Sequence, residues 1–148
     1  MLNLMAVAQY LEGLDIGSLD SSILERHTSP VLAFSRSPAL EVVHLRGKIR
    51  VFATGGEAPQ PISRLRVAVL EVSIYVPLTP NQDEDMEQLT ALFEAYLVAL
   101  ETTDPTLGGL VEETRGTDYK FGIERRNSSM YRYASVTIFA GDLDQEGA

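Results

Sequence analysis

The chain has 148 residues, a length that supports one domain with a core of its own. With 45% hydrophobic and 22% charged residues and no cysteine, it reads as an ordinary globular chain that excludes disulfides, thiolate chemistry and Cys-based zinc sites. Twelve Lys and Arg against twenty-one Asp and Glu leave a formal net charge of −9, which argues against nucleic-acid binding as the main task.

No apolar run approaches the ~20 residues of a membrane span, and the N-terminus lacks the basic start of a signal peptide. A soluble, cytosolic protein is expected.

In chain order, Leu2 to Glu12 reads as a short helix, with Leu4, Val7, Ala8 and Leu11 on one face and Gly13 as its stop. From Gly13 to Pro38 the pattern weakens, punctuated by Gly17, Pro30 and Pro38. Only Ile23-Leu24 and Val31 to Phe34 are candidate strands there. Partly ordered excursions of this length are uncommon in compact domains unless they serve binding. Leu40 to Leu45 and Ile49 to Ala53 then predict two β runs around a hairpin turn at Arg46-Gly47-Lys48. Arg46, Lys48 and Arg50 share a parity, so they would line one edge if the ribbon continued through the turn. Thr54 to Pro61 is a loop by composition.

Arg64 to Val76, RLRVAVLEVSIYV, is the longest unbroken β signal. Ala68, Leu70, Val72, Ile74 and Val76 alternate with Leu65, Val67 and Val69, so both faces are apolar and the strand is expected at the centre of a sheet. Its later second-face positions, Glu71, Ser73 and Tyr75, predict an end that meets water or a partner. At about 3.3 Å per residue the run is roughly 40 Å long, near the diameter of the whole domain. It is expected to span the domain or overhang it, and an overhang suggests assembly.

Thr79-Pro80-Asn81-Gln82 predicts a helix start, with Thr79 as N-cap, Pro80 at the first helical position and Gln82 in the capping box. Asp83, Glu84, Asp85 and Glu87 suit the positive end of the helix dipole. Met86, Leu89, Phe93, Tyr96, Leu97 and Leu100 form one apolar stripe, giving an amphipathic helix to about Glu101 whose polar face carries acids and no cations. Asp104-Pro105 ends it, and Leu107-Gly108-Gly109-Leu110 is a tight turn. Strands are expected over Leu110 to Arg115, Tyr119 to Ile123 and Met130 to Ala140, with a turn at Arg125 to Ser129. An acidic tail from Gly141 to Ala148 is expected to be disordered. The whole reads as one α+β domain over residues 1–140. It combines a mostly antiparallel twisted sheet around a long central strand with one main amphipathic helix and a short N-terminal helix packed on it.

No constellation for catalysis stands out. His27 and His44 lack a second ligand at metal spacing, and His44, on the strand face of Arg46, reads as an exposed polar residue. No G-x-S-x-G elbow exists, and the Gly55-Gly56, Gly108-Gly109 and Gly47-Lys48 pairs fit neither phosphate-binding pattern. The acids at Asp83 to Glu87 have the chemistry for a divalent cation, but acids are common at helix starts for dipole reasons alone. Catalytic, cofactor and metal sites are therefore all expected to be absent.

Charge is unevenly spread. From Val67 to Thr114 there are ten acids and no Lys or Arg, while Arg46, Lys48, Arg50, Arg64 and Arg66 cluster just before. As a nucleic-acid patch this basic set lacks aromatic interleaving apart from Phe52. A basic region and an acidic helix on one protomer suit a head-to-tail contact between copies, and head-to-tail contacts close into rings.

At Ile49 to Pro61, IRVFATGGEAPQP, the sequence resembles bacteriophage tail-terminator and related tail-completion (minor capsid) proteins. They show a strand ending in a T-G-G-x-x-P-like turn followed by a long two-sided apolar strand. The order after it is similar too: an acid-capped helix over Asp83 to Glu101, a D-P-x-L-G-G-like turn at Asp104 to Gly109, and strands to Phe139. The short helix at Leu2 to Glu12 also fits, while Gly13 to Pro38 departs from the pattern. The resemblance implies a non-catalytic homo-hexameric ring in the virion, at the tail or neck, assembled in the host cytoplasm. It would cap the tail tube protein and offer a face to head-completion or neck proteins, with DNA passing through the lumen unbound. Arg46, Lys48, Arg50, Arg64 and Arg66 are then candidates for the subunit interface. Glu84, Glu87, Glu94 and Glu112 are candidates for an acidic lumen that repels phosphate. The alternatives are another neck or tail component of head-completion or tube type, and a small-ligand-binding or enzymatic α+β domain.

Overall fold

A computed structural model describes residues 3–53 and 62–141, without the side chains of 48–53 and 62–66. The elements are α1 (Leu4–Glu12), a 3-10 turn (Gly17–Ser22), β1 (Glu25–His27), β2 (Ala39–Ala53), β3 (Ile62–Pro77), α2 (Gln82–Thr102), β4 (Glu113–Arg126) and β5 (Ser129–Gly141). The five strands form one sheet in the order β1-β2-β3-β5-β4. Only β1 with β2 is parallel; the other three pairs are antiparallel. This is the expected α+β architecture, with the long apolar strand, β3, in the middle.

One face of the sheet carries the main core. Ala68, Leu70, Val72, Ile74 and Val76 of β3 pack with Leu40 and Val42 of β2, and with Ala134, Val136, Ile138 and Ala140 of β5. Leu89, Leu92, Phe93 and Tyr96 of α2 and Val7, Ala8 and Leu11 of α1 cover them. Tyr96 ties the two helices together, its hydroxyl donating to the Leu11 carbonyl (2.8 Å) at the end of α1. Burial raises the pKa of that phenol far above its ordinary value, so it stays a donor.

Several expectations are corrected. Arg46-Gly47-Lys48 is not a turn: β2 runs through it, with a bulge between His44 and Arg46. The extra residue shifts the phase of the apolar alternation, and that shift mimics two strands around a turn. Gly47 sits inside the ladder, opposite Ala68. The same bulge separates His44, opposite Leu70, from Arg46, opposite Val69, so the two do not share a face.

Glu113 to Arg115 and Tyr119 to Ile123 belong to one strand, β4, with Leu110 to Glu112 outside it and an irregularity between Gly116 and Asp118. Neither Ile23-Leu24 nor Val31 to Phe34 is a strand; the first leads into β1, and the second lies in a strap across the sheet. The N-cap of α2 is Asn81, not Thr79, so Pro80 precedes the helix and Gln82 begins it. Asn81 Oδ1 accepts from the Glu84 amide (3.1 Å) and its side-chain amide donates to Glu84 Oε2 (3.0 Å), a reciprocal cap displaced two residues from the expected one.

The overhang of the central strand is present. β5 pairs with β3 only over Val67–Pro77, whereas β2 follows β3 down to Ile62. Among the described residues, the far ends of β2 and β3 therefore form a two-stranded arm. The loop Thr54 to Pro61 and the tail after Gly141 lie outside the described residues.

Candidate functional site

Of the residues proposed for a subunit interface, Arg50, Arg64 and Arg66 lie in the arm, whereas Arg46 and Lys48 lie where β3 is still paired with β5. Arg46, Lys48 and Arg50 stand opposite Val69, Val67 and Leu65, whereas Arg64 and Arg66 stand opposite Val51 and Ile49, so the five divide between positions of opposite parity. Arg46 is exposed. Glu84, Glu87 and Glu94 are exposed on α2. Glu112 is exposed as well, but it lies just before β4, past the other end of that helix. The helix acids thus share one element, and the fourth stands apart from them.

The acids at Asp83 to Glu87 do not converge on a common point. Glu84 is engaged in the helix cap, and Asp85 is buried and turned inward. Asp85 accepts from the Thr79 hydroxyl (2.6 Å) and the Thr79 amide (2.7 Å), with Arg132 Nε 3.5 Å away. These Thr79 bonds, the hydroxyl's first, hold its carboxyl below the ordinary range. Among the described residues no group of three or more His, Asp or Glu is placed to hold a metal ion. His27 lies stacked near Phe34, with its Nε2 3.4 Å from Glu25 Oε1 at an angle that makes no hydrogen bond.

The opposite face of the sheet holds the feature that the sequence concealed. Ser73 and Tyr75 were expected to meet water or a partner, yet both are buried. The segment after β1 crosses over them as a strap. Phe34 packs on Tyr75 and Tyr131, with Ala39 beneath and Val31 and Tyr133 alongside. The strap is held at both ends by charge. Glu25 Oε2 accepts from the amides of Ser35 (2.9 Å) and Arg36 (3.4 Å), and Glu41 Oε2 accepts from the Val31 amide (3.1 Å).

Arg126 closes the arrangement from the far end of β4. Its guanidinium donates to both oxygens of Glu41 (2.6 and 2.8 Å), to Glu124 (2.6 Å), to the Val31 carbonyl (3.1 Å) and to the Tyr75 hydroxyl (2.7 Å). That uses all five N–H groups of the fork. The same group lies over the rings of Phe34 and Tyr75, at 4.7 and 4.5 Å. Glu41, 1% exposed, is the chief cause of a raised pKa at Arg126. Burial pushes the Tyr75 phenol up, with Arg126 opposing. The available signal was Glu41 itself, a carboxylate inside the apolar run Leu40 to Val43, which requires a buried cation from elsewhere. Nothing local indicated that Arg126, in a predicted turn, would be that cation.

The sheet has two free margins. Among the described residues β4 has no strand beyond it, and β1 covers only Ala39–Glu41 of β2, so β2 has none beyond it from Val42 onward. On β4, Tyr119, Phe121 and Ile123 are 64%, 42% and 53% exposed. Tyr119 and Phe121 touch Phe93 of α2, with ring centroids 6.0 and 5.6 Å from it. Beside them a groove of about 440 Å³ runs between α2 and β4, floored by Leu97, Leu100 and Val136 and rimmed by Glu101 and Asp118. Gly116 lies at its floor, where a Cβ would make ordinary van der Waals contact with Leu100 (3.4 Å) and Val136 (3.6 Å). Among the described residues no helix is long and apolar enough to cross a membrane. No protein-family model and no curated protein matches this chain.

Proposed function

We propose that the chain is a structural subunit of a phage tail, forming a homo-hexameric ring at the head-proximal end that stops tube growth and joins tail to neck. The observation that carries this reading is the segregation of charge across one protomer. α2 exposes Glu84, Glu87 and Glu94, and no cation occurs between Val67 and Thr114, while the basic cluster sits on β2 and β3, from the bulge into the arm. Copies repeated head to tail would bring unlike regions together and leave the acidic helix faces for a lumen. An acidic wall repels DNA phosphates, so DNA would pass without being retained. The order of strands and acid-capped helix fits the pattern on which the tail-terminator resemblance rests, and the overhanging arm is a separate feature that suits assembly.

The test is the mass of the purified protein by light scattering, with electron microscopy of any particle. A ring of six copies of 16.3 kDa is expected, dissociating at high salt as its charged contacts are screened. A single 16.3 kDa particle at every concentration would overturn the proposal. Open filaments would favour a tube-type component instead.

A further inference from the structure

We infer that the ring closes by strand addition, with the free β4 edge of one copy pairing antiparallel to the free β2 edge of the next. This rests on the ring reading and names the two surfaces that meet. The argument starts from direction. β2, β3, β5 and β4 alternate, each antiparallel to its neighbour, so β4 and the part of β2 beyond β1 run in opposite senses. A copy added head to tail presents β2 to β4 in the antiparallel sense, and the same step repeats at every junction. Such a contact is heterologous, the kind that closes by rotation.

The chemistry of the two margins also matches. An edge strand carries a row of unpaired N–H and C=O groups, and soluble proteins usually protect such a row with charge or short length. β4 is 14 residues long, and its Tyr119, Phe121 and Ile123 row is exposed beside the open groove at Leu97 and Leu100. The β2 margin offers Leu45, 49% exposed at the bulge, next to exposed Arg46. Leu45 has the apolar character to cover part of the aromatic row, while Arg46, opposite Val69, belongs to the sheet face away from α2 and its groove. Backbone hydrogen bonds would supply direction and register, and the apolar row would supply the buried area.

The absence of cysteine makes the test clean. Leu45→Cys and Phe121→Cys are made singly and together, and treated with a short bismaleimide after melting curves establish that each variant is folded. The double variant is expected to give a ladder of covalent oligomers ending at the closed ring, and each single variant none. Covalent dimers from Phe121→Cys alone would mean a two-fold β4–β4 contact and would overturn the inference. An uncross-linked double variant that still assembles like the wild type would overturn it too, while leaving the ring reading intact. A wild-type chain that never assembles would remove the ring reading and the inference with it. As a second measurement, Phe121→Lys places a charge in the pairing edge and should raise the concentration for half-assembly by about tenfold or more. An unchanged assembly curve in that folded variant would count against the β4 edge.

Discussion

The two faces of this sheet are covered by different physics. On one side, α1 and α2 lay an apolar surface over β2, β3 and β5, and the contact is spread across more than twenty buried side chains. On the other, a strap without regular structure lays Phe34 over Ala39, Tyr75 and Tyr131 and is held largely by one arginine. Apolar burial is non-directional and distributes its contribution, so no single residue decides it. A buried ion pair concentrates its contribution, because removing one partner leaves the other charge desolvated and unpaired. The helix face should therefore tolerate single changes better than the strap face, despite being far larger.

The strongest challenge to that contrast is Arg126→Ala. It should cost about 3–5 kcal/mol in denaturant unfolding, because Glu41 is left buried and charged, and it should expose Val31 to Arg36 to protease. A loss under about 1 kcal/mol would mean the clamp contributes little and the two faces are not so different. Leu89→Ala, on the helix face, should cost about 2–4 kcal/mol through the cavity it leaves, with the strap as protease-resistant as before. Pairing Glu41→Leu with Arg126→Met sharpens the point, since an apolar pair of similar volume should restore most of the stability that Arg126→Ala loses. The strap should nevertheless be cut faster than in the wild type, having lost the bonds to both polar groups of Val31.

Gly122→Ala should cost about 1–3 kcal/mol as an overpacking change. A Cβ at Gly122 would lie 2.7 Å from the Tyr133 hydroxyl and 2.8 Å from its ring, which packs alongside the strap's aromatic cluster. The smallest expected effect is a pH response on the helix side. Asp85 and Asp104 both titrate below the ordinary value of 3.8, through hydrogen bonds led by the Thr79 hydroxyl and the Thr106 amide respectively. A carboxyl with a depressed folded pKa adds stability above its unfolded value and loses it as pH falls through the folded one. Melting temperature should thus decline on acidification below about pH 4, and Asp85→Asn should flatten part of that decline.

Legibility in the sequence followed how local each determinant is. The apolar stripe on α2 and the two-sided alternation on β3 are periodic within one element, and both elements lie where the pattern places them. Bulges broke the reading of β2 and β4, since one inserted residue reverses parity and a continuous strand then scans as two. Thr79 was misread as the cap because its hydroxyl suits that role equally well. Its hydroxyl and amide instead bind Asp85, and Asn81 takes the cap. Of the interface residues, the basic cluster was visible as a cluster, but its division between opposite parities followed from the register with β3.

What the sequence determined by itself was the class of fold, the central place of β3, the amphipathic α2 and the unequal distribution of charge. The strand and the helix are written in periodicity within one element, and the fold class and the charge in the order and composition of segments along the chain. Tertiary structure alone decided that Arg126 meets Glu41 across 85 residues, that the 13–38 excursion closes over Tyr75, and that two oppositely directed edges remain at the margins of the sheet. A buried charge announces that it needs a partner but not which one, and an edge exists only once all the other strands have been placed.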